Sequence, residues 1–253
     1  MAPEISNLSM AVMLVFVLIP VSLSYLFSLG IAGTTIWSSL RGIIQLVAIG
    51  YMLTYLFAIT DWIAISLVIT VMIFTASYQA SRRGKGIPYA GVIVFFILIF
   101  IEVFVLSLWL LFNIIPFDSQ QVIPMSGMII GNSMVASGLA LERIKNEFTN
   151  ANGKVLAALS LGAPPAQAAR PIVKRTIKAA MIPSVDSLKT IGLVQLPGMM
   201  TGLILAGTSP IEAIRYQLVI SLSIFASVSL CSMFVAALTY RLFFNKDIQL
   251  RTL

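Results

Sequence analysis

The chain has 253 residues, of which 59% are hydrophobic and only 10% are charged, whereas an ordinary soluble domain carries about 25% charged residues. This composition excludes a water-soluble globular protein and predicts an integral membrane protein, in which each span uses about 20 residues. The formal net charge of +7 does not require a nucleic-acid partner, because basic cytoplasmic loops are usual in membrane proteins.

The sequence lacks the residues that most enzymes and metal sites use. It contains no histidine, and its one cysteine, Cys231, lies within an apolar run. These absences exclude a disulfide framework and the common zinc, haem and iron–sulfur ligand sets. No nucleophile–base pair and no GxxxxGK[ST] phosphate loop are present. We therefore predict no catalytic residue, no cofactor bound by this chain and no ATP hydrolysis by the chain alone.

Seven apolar segments predict an all-α integral membrane protein, with about seven transmembrane helices in one domain over residues 1–253. Fifteen of the sixteen basic residues fall in the connections on one side, which places the N-terminus outside and the C-terminus in the cytoplasm. A helical cytoplasmic loop is expected at about 142–190. The predicted segments are 8–29, 43–59, 62–78, 90–115, 122–141, 191–206 and 216–244.

The fourth segment has Glu102 at its centre. An ionisable residue at the middle of a membrane costs about 2.5 kcal/mol or more unless it faces protein, water or a partner. Glu102 is therefore a candidate for a substrate pathway. The alternative, a neutral Glu102 hydrogen-bonded to a neighbouring helix, stays open at this stage.

The fifth segment combines small and polar residues. Gly127 and Gly131 form a GxxxG pattern, which lets membrane helices pack closely. Pro124 has no N–H to donate, so a break near the outer end of this helix is expected. Asn132 favours a role in lining a pathway, because an amide in lipid needs a partner, although plain helix packing remains an alternative.

The cytoplasmic loop predicts two helices. A short one, at about 154–161, ends at Gly162 and the following proline pair. The second begins near Ala166 and places basic residues at four-residue intervals along one face. Such a helix could also lie on anionic lipid. The basic face carries Arg170, Lys174 and Lys178, and the opposite face Ala169, Ile172, Thr176 and Ala180.

The sixth segment repeats the small-residue spacing. Gly198 and Gly202 are four residues apart, which is typical of close helix packing. Gln195 and Met199 are one turn apart with Pro197 between them. These polar and thioether groups predict that the sixth span also lines the pathway.

Two motifs carry a family resemblance. The spacing Ala157-Ala158-x3-Gly162-x9-Ile172 resembles the EAA loop of bacterial ABC-transporter permeases, with Leu156 at the position of the glutamate. The longer run 174–202 and the Gly-Asn-Ser-Met stretch at 131–134 resemble the FetB family of permeases assigned to iron export, which has plant relatives linked to aluminium tolerance. This second resemblance extends over nearly the whole chain.

The resemblance implies a permease in the bacterial inner membrane, surrounded by lipid and working as a homodimer. A separate ABC ATPase subunit, FetA in the bacterial system, would bind ATP and Mg and drive export. In this sequence the implied ATPase contacts are Ala157, Ala158, Gly162, Ala163, Arg170 and Lys174.

A metal substrate would meet few strong ligands in this chain. Glu102 and Gln195 are the candidate metal ligands, and they form the predicted pathway with Asn132 and Met199. Carboxylate and carbonyl groups hold Fe(II) loosely, and thioethers prefer Cu(I). Three other functions remain open: an ion-coupled secondary transporter using Glu102, an ABC permease for a non-metal substrate, and a membrane scaffold.

Overall fold

The computed structural model describes residues 12–58, 61–245 and 249–251. Within these residues the regular structure is helical apart from two isolated bridge pairs, which confirms the all-α prediction. The helices are α1 (Val15–Leu26), α2 (Ala32–Phe57), α3 (Trp62–Ser81), α4 (Ala90–Leu111), α5 (Ser119–Asn150), α6 (Asn152–Ser160), α7 (Pro165–Thr190), α8 (Gly198–Leu205), α9 (Pro210–Thr239) and the 3-10 helix η1 (Tyr240–Phe243).

Five of the described helices are long and apolar enough to cross a membrane, so the chain is a multi-pass membrane protein. They are α2, α3, α4, α5 and α9 continued through η1. The predicted first segment falls partly outside the described residues, and α1 covers 12 residues of it. The count of seven spans and the orientation of the chain stay predictions.

The sixth predicted segment does not form one membrane-spanning helix. Only α8 is helical within it, and its eight residues extend about 12 Å, well short of the ~30 Å apolar thickness of a bilayer. Gly192 has a φ of +79°, and Pro197 lacks an N–H and disfavours helical backbone at the residue before it. These residues keep 191–197 out of the helix, so the prediction of one continuous helix over 191–206 is wrong.

The other prolines do not break their helices. α5 runs through Pro124 and continues past Leu141 to Asn150, and α7 runs through Pro171 and Pro183. The predicted break at Pro124 is therefore wrong. Its helical neighbours Val122, Ile123, Met125 and Ser126 are all buried, so tertiary packing holds the helix where the proline removes a hydrogen bond.

The chain forms two compact units, residues 1–59 and 60–253. In the first unit α1 packs against α2, and the Ile31 N–H donates a hydrogen bond of 3.2 Å to Ser24 Oγ between the two helices. In the second unit α5 is central and packs against α3, α4, α7 and α9. Leu141, Ile144 and Val235 are fully buried there.

The four glycines predicted to mediate helix packing differ in their surroundings. A Cβ added at Gly127 would lie 3.1 Å from Met72 Cε, so α3 and α5 are closely packed at this point. A Cβ added at Gly131, Gly198 or Gly202 would meet no atom within 4 Å among the described residues. A packing role for these three glycines stays a prediction.

Candidate functional site

The α6–α7 hairpin, residues 152–190, contains all six positions that the EAA-type resemblance singled out. Its turn follows from the Ala-Ala-x3-Gly spacing. Gly162 has a φ of +84°, and the N–H groups of Gly162 and Ala163 donate to the carbonyl oxygens of Leu159 (2.9 Å) and Ala158 (3.0 Å). This is a Schellman cap, which needs a residue in the left-handed region at the glycine position. The motif therefore encodes the end of α6 and the turn into α7.

One large apolar side chain stands out at this turn. Leu161 is 88% exposed although it lies directly between two helices. Exposed apolar groups beside polar ones are typical of a docking surface when they are contiguous. Ala157 and Gly162 are exposed nearby, while Ala158 and Ala163 are half-buried. Sequence analysis did not identify Leu161, because a single leucine in a loop carries no periodic signal.

The two faces of α7 separate as the sequence predicted. The face with Ala169, Ile172, Thr176 and Ala180 is at most 2% exposed, because it packs against α5 and α9. Arg170, Lys174 and Lys178 are exposed. The predicted amphipathic arrangement is confirmed, and the basic side chains are free to contact another molecule.

A charged contact joins the hairpin to the central helix, and an aromatic contact joins the central helix to η1. Glu147, near the end of α5, accepts from Arg143 at 2.7 Å and from Arg175 of α7 at 3.3 Å. Phe148 stacks on Phe243 with ring centroids 4.2 Å apart. The hairpin, the end of α5 and the end of α9 are thus joined at one end of the second unit.

The amide cavity is a space of about 300 Å³ between α5, α7, α9 and the non-helical residues 191–197. None of the charged side chains that the structure describes lines it. Its polar character comes from three amides and three hydroxyls, which stand among apolar neighbours such as Val135 and Ile224. The polar lining residues are Asn132, Ser184, Ser187, Gln195, Gln217 and Ser221.

The hydrogen bonds within the amide cavity leave one side-chain acceptor, on Gln217, without a partner among the described residues. Gln217 donates through Nε2 to Ser221 Oγ at 2.8 Å, while Gln217 Oε1 is buried without a partner among the described residues. Asn132 donates through Nδ2 to the Met128 carbonyl at 2.8 Å. A buried amide oxygen without a partner is costly, so it favours a bound donor or water at this site.

The methionine cavity is a larger space of about 640 Å³. It lies beside the beginnings of α5 and α9 and beside α8. It differs chemically from the amide cavity, because thioethers, a carboxylate and a guanidinium line it. The lining residues with polar or sulfur atoms are Gln120, Gln121, Met125, Met128, Met199, Thr208, Glu212, Arg215 and Tyr216.

The two cavities are adjacent. On α5, Met128 of one cavity and Asn132 of the other are one turn apart, a rise of about 6 Å. On α9, Tyr216 of the methionine cavity directly precedes Gln217 of the amide cavity. At the start of α8, one residue separates Pro197 of the amide cavity from Met199 of the methionine cavity. The cavities therefore follow each other along the same groove, with the non-helical residues 191–197 at the boundary.

Glu102 is buried and does not line either cavity. It is 2% exposed, and the Ser126 hydroxyl approaches its carboxyl group. Neither Glu102 oxygen nor Ser126 Oγ has hydrogen-bond geometry to a partner in the described part of the chain. Glu102 is not among the residues lining either cavity.

The predicted pathway residues are thus only partly brought together. Asn132 and Gln195 line the amide cavity, and Met199 lines the neighbouring methionine cavity. Glu102 and Gln195, the predicted metal ligands, do not share a cavity, and the described residues hold no group of three His, Cys, Asp or Glu side chains that could bind a metal ion. Their role in metal binding stays a prediction.

Sequence analysis missed Gln217, Ser221, Ser184 and Ser187. One signal was present for the first pair, because Gln217 and Ser221 are four residues apart within an otherwise apolar segment and so share a helix face. The serines of α7 lacked such a signal, because the sequence analysis assigned their stretch to the cytoplasmic loop and not to the pathway.

Comparisons with known proteins find related sequences. Residues 7–244 match the model of an uncharacterised protein family, UPF0014. The chain is 38% identical over 247 residues to the "Probable iron export permease protein FetB" of Escherichia coli strain K12, covering 98% of this chain and 95% of the relative. No solved structure matches the chain.

Two further relatives come from a Gram-positive bacterium and a plant. The "UPF0014 membrane protein YjkA" of Bacillus subtilis strain 168 is 39% identical over 244 residues, with 96% of this chain and 98% of the relative covered. The "Protein ALUMINUM SENSITIVE 3" of Arabidopsis thaliana is 34% identical over 242 residues, with 96% and 89% covered.

Proposed function

Because this chain belongs to the UPF0014 family, we propose that it is the permease subunit of an ABC exporter that moves iron or a related metal out of the cytoplasm. A separate ATPase subunit, similar to FetA, binds ATP and Mg and supplies the energy. The permease works as a homodimer in the bacterial inner membrane, with the α6–α7 hairpin and the C-terminus in the cytoplasm.

The continuity of α7 is the observation that carries this proposal. One unbroken helix of 26 residues, about 39 Å long, begins at the hairpin turn and ends at the amide cavity. The exposed side chains of Arg170, Lys174 and Lys178 lie in its first four turns, and its last two turns carry Ser184 and Ser187 of the cavity lining. A displacement of the turn by a soluble partner would therefore be transmitted to the cavity along one helix.

The hairpin offers a partner protein two kinds of contact. Leu161 and the small residues of the turn present apolar surface, and Arg170, Lys174 and Lys178 present positive charge. Closure of two ATPase subunits on ATP would pull on both hairpins of the dimer. Because Glu147 joins α5 to α7, the same pull would reach α5, which lines both cavities.

The amide cavity suits a weakly held, hydrated cation. Six water molecules occupy about 180 Å³ at the volume of liquid water, so a hexahydrated metal ion fits the cavity of about 300 Å³. Amide and hydroxyl oxygens accept hydrogen bonds from metal-bound water without replacing it. Weak binding of this kind allows release, which an exporter requires. The iron-export name of the E. coli relative supports a metal as the cargo.

The proposal is tested by Fe(II) uptake into inverted membrane vesicles that contain this chain and its ATPase. We expect uptake that requires ATP and both proteins, and no uptake when either one is omitted. Uptake without the ATPase would instead indicate an ion-coupled transporter. No Fe(II) uptake by a pair that co-purifies would remove iron as the cargo, and failure to co-purify would remove the ABC assignment.

A further inference from the structure

The methionine cavity brings together three thioethers from two parts of the chain. Met125 and Met128 are three residues apart on α5 and so share a helix face, and Met199 of α8 joins them across the cavity. We call these three residues the thioether triad. The chain has twelve methionines, and within the described ranges only these three line this cavity.

The triad borders open volume and does not fill it. A methionine that serves to fill a gap in a core packs against its neighbours and leaves no space. Here about 640 Å³ remains beside the three side chains, and Met128 and Met199 are only half-buried. The sulfur atoms are therefore available to a ligand that enters the cavity.

The chemistry of the lining selects the class of ligand. Thioether sulfur is a soft donor that prefers Cu(I) to hard divalent cations. Glu212 and Arg215, three residues apart at the start of α9, contribute one negative and one positive formal charge to the lining. The two charges cancel, so a monovalent ion is tolerated better than a multiply charged one.

We propose that the methionine cavity is a binding site for a soft monovalent cation of the Cu(I) class, held by the thioether triad. This site deepens the proposed function. It rests on the proposed function in one respect, which is that the cavity belongs to an export route. The methionine cavity follows the amide cavity on the side away from the hairpin, so it is the last site that such an ion meets before release.

The test is Cu(I) binding to the purified full-length chain in detergent micelles, measured by competition with the chromogenic chelator bicinchoninate under anaerobic, reducing conditions. We expect one Cu(I) per chain. Met128→Leu and Met199→Leu keep the volume but remove the sulfur, and each should lower the affinity by about tenfold or more. Fe(II) and Mg(II) should not compete.

Two control variants separate ligation from packing. Met200 follows Met199 in the sequence but does not line the cavity. Met200→Leu should therefore leave the Cu(I) affinity unchanged. Cys231→Ser removes the one thiol, which is fully buried, and should also have no effect. Arg215→Gln removes the opposing positive charge and should raise the affinity, which a merely structural role for the triad does not predict.

The outcomes distinguish this site from the proposed function. Absence of Cu(I) binding by the wild-type chain, or an equal loss in Met200→Leu and Met199→Leu, would overturn the site. Co-purification with the ATPase is measured on the same preparations. If the chain binds Cu(I) but not the ATPase, the site is supported and the proposed function is refuted. If the chain binds the ATPase but not Cu(I), only the site is refuted.

Discussion

Arg175 of α7 lies 3.3 Å from the carboxylate of Glu147 on α5. The same carboxylate holds Arg143 at 2.7 Å, so one largely buried acidic side chain connects the end of the central helix to the first half of α7. Charge-assisted hydrogen bonds of this kind are about twice as strong as neutral ones. The contact links the hairpin directly to α5.

We expect Glu147→Gln to uncouple ATP hydrolysis from transport. The amide keeps the shape of the side chain but loses the charge that holds two arginines, which are themselves half-exposed and can be solvated. The loss of stability should therefore be small, about 1 kcal/mol, while transport per ATP hydrolysed should fall. Both rates are measured in proteoliposomes that contain the permease and its ATPase.

The matched control is Asp186→Asn. Asp186 pairs with Lys189 at 3.3 Å within α7, and both side chains are exposed. This pair links no two helices, so its loss should leave the coupling ratio unchanged. An unaltered ratio in Glu147→Gln would show that force does not pass through the α5–α7 contact.

Gly162→Ala should weaken association with the ATPase. An alanine at a φ of +84° costs about 1–2 kcal/mol, and because an added Cβ would meet no atom within 4 Å, this cost comes from the backbone alone. Gly162→Asn should retain more binding, because asparagine tolerates the left-handed region better. Co-purification with the tagged ATPase measures the difference.

Gly153→Ala provides the control for this pair. Gly153 lies within α6, and an added Cβ there also has open space. Alanine is the better helix former by about 1 kcal/mol, so this variant should bind the ATPase as well as the wild type. Equal binding by Gly162→Ala and Gly162→Asn would show that the Schellman turn does not determine docking.

The hairpin could be predicted because its signals are local. Alanine, glycine and proline residues mark the end of one helix and the start of the next within ten residues, and the basic residues repeat at the helical period. The buried face of α7 followed from the same period. Local propensity and tertiary packing agree here, so the sequence pattern and the structure agree.

The break after α7 and the cavities could not be predicted in this way. The apolar run 191–206 has the composition of a span. Its first residues nevertheless form a turn, because Gly192 has a positive φ and backbone hydrogen bonds join residues 190 to 195. A cavity depends on how three helices face one another, and hydropathy carries no such information. Asn132 was recognised because an amide in an apolar run is conspicuous, and Gln217 could have been recognised for the same reason.

Glu102→Gln should leave both folding and transport largely intact. Glutamine removes the charge, keeps the shape and can still interact with Ser126, and Glu102 lines neither cavity. Glu102→Ala removes buried polar atoms and leaves a void, so it should lower stability by about 1–3 kcal/mol. Thermal unfolding in detergent and vesicle transport are measured for both variants. Loss of transport in a stable Glu102→Gln protein would return Glu102 to the pathway.

Gln217→Leu should abolish most transport without affecting assembly. Leucine has a similar volume but removes the buried oxygen without a partner and the bond to Ser221, so the amide cavity loses two of its polar groups. Because α9 does not contribute to the hairpin turn, binding of the ATPase should be normal. We expect the initial rate of ATP-dependent uptake to fall by about tenfold, equivalent to about 1.4 kcal/mol.

Ser229→Ala is the control for this variant. Ser229 lies on the same helix about three turns further along. Its hydroxyl donates to the Phe225 carbonyl of its own helix, and Ser229 lines neither cavity. It should transport like the wild type. Reduced transport in Gln217→Leu together with reduced ATPase association would point to misfolding, whereas reduced transport alone places Gln217 on the route of the substrate. Full transport by Gln217→Leu would show that the substrate does not depend on the amides of this cavity.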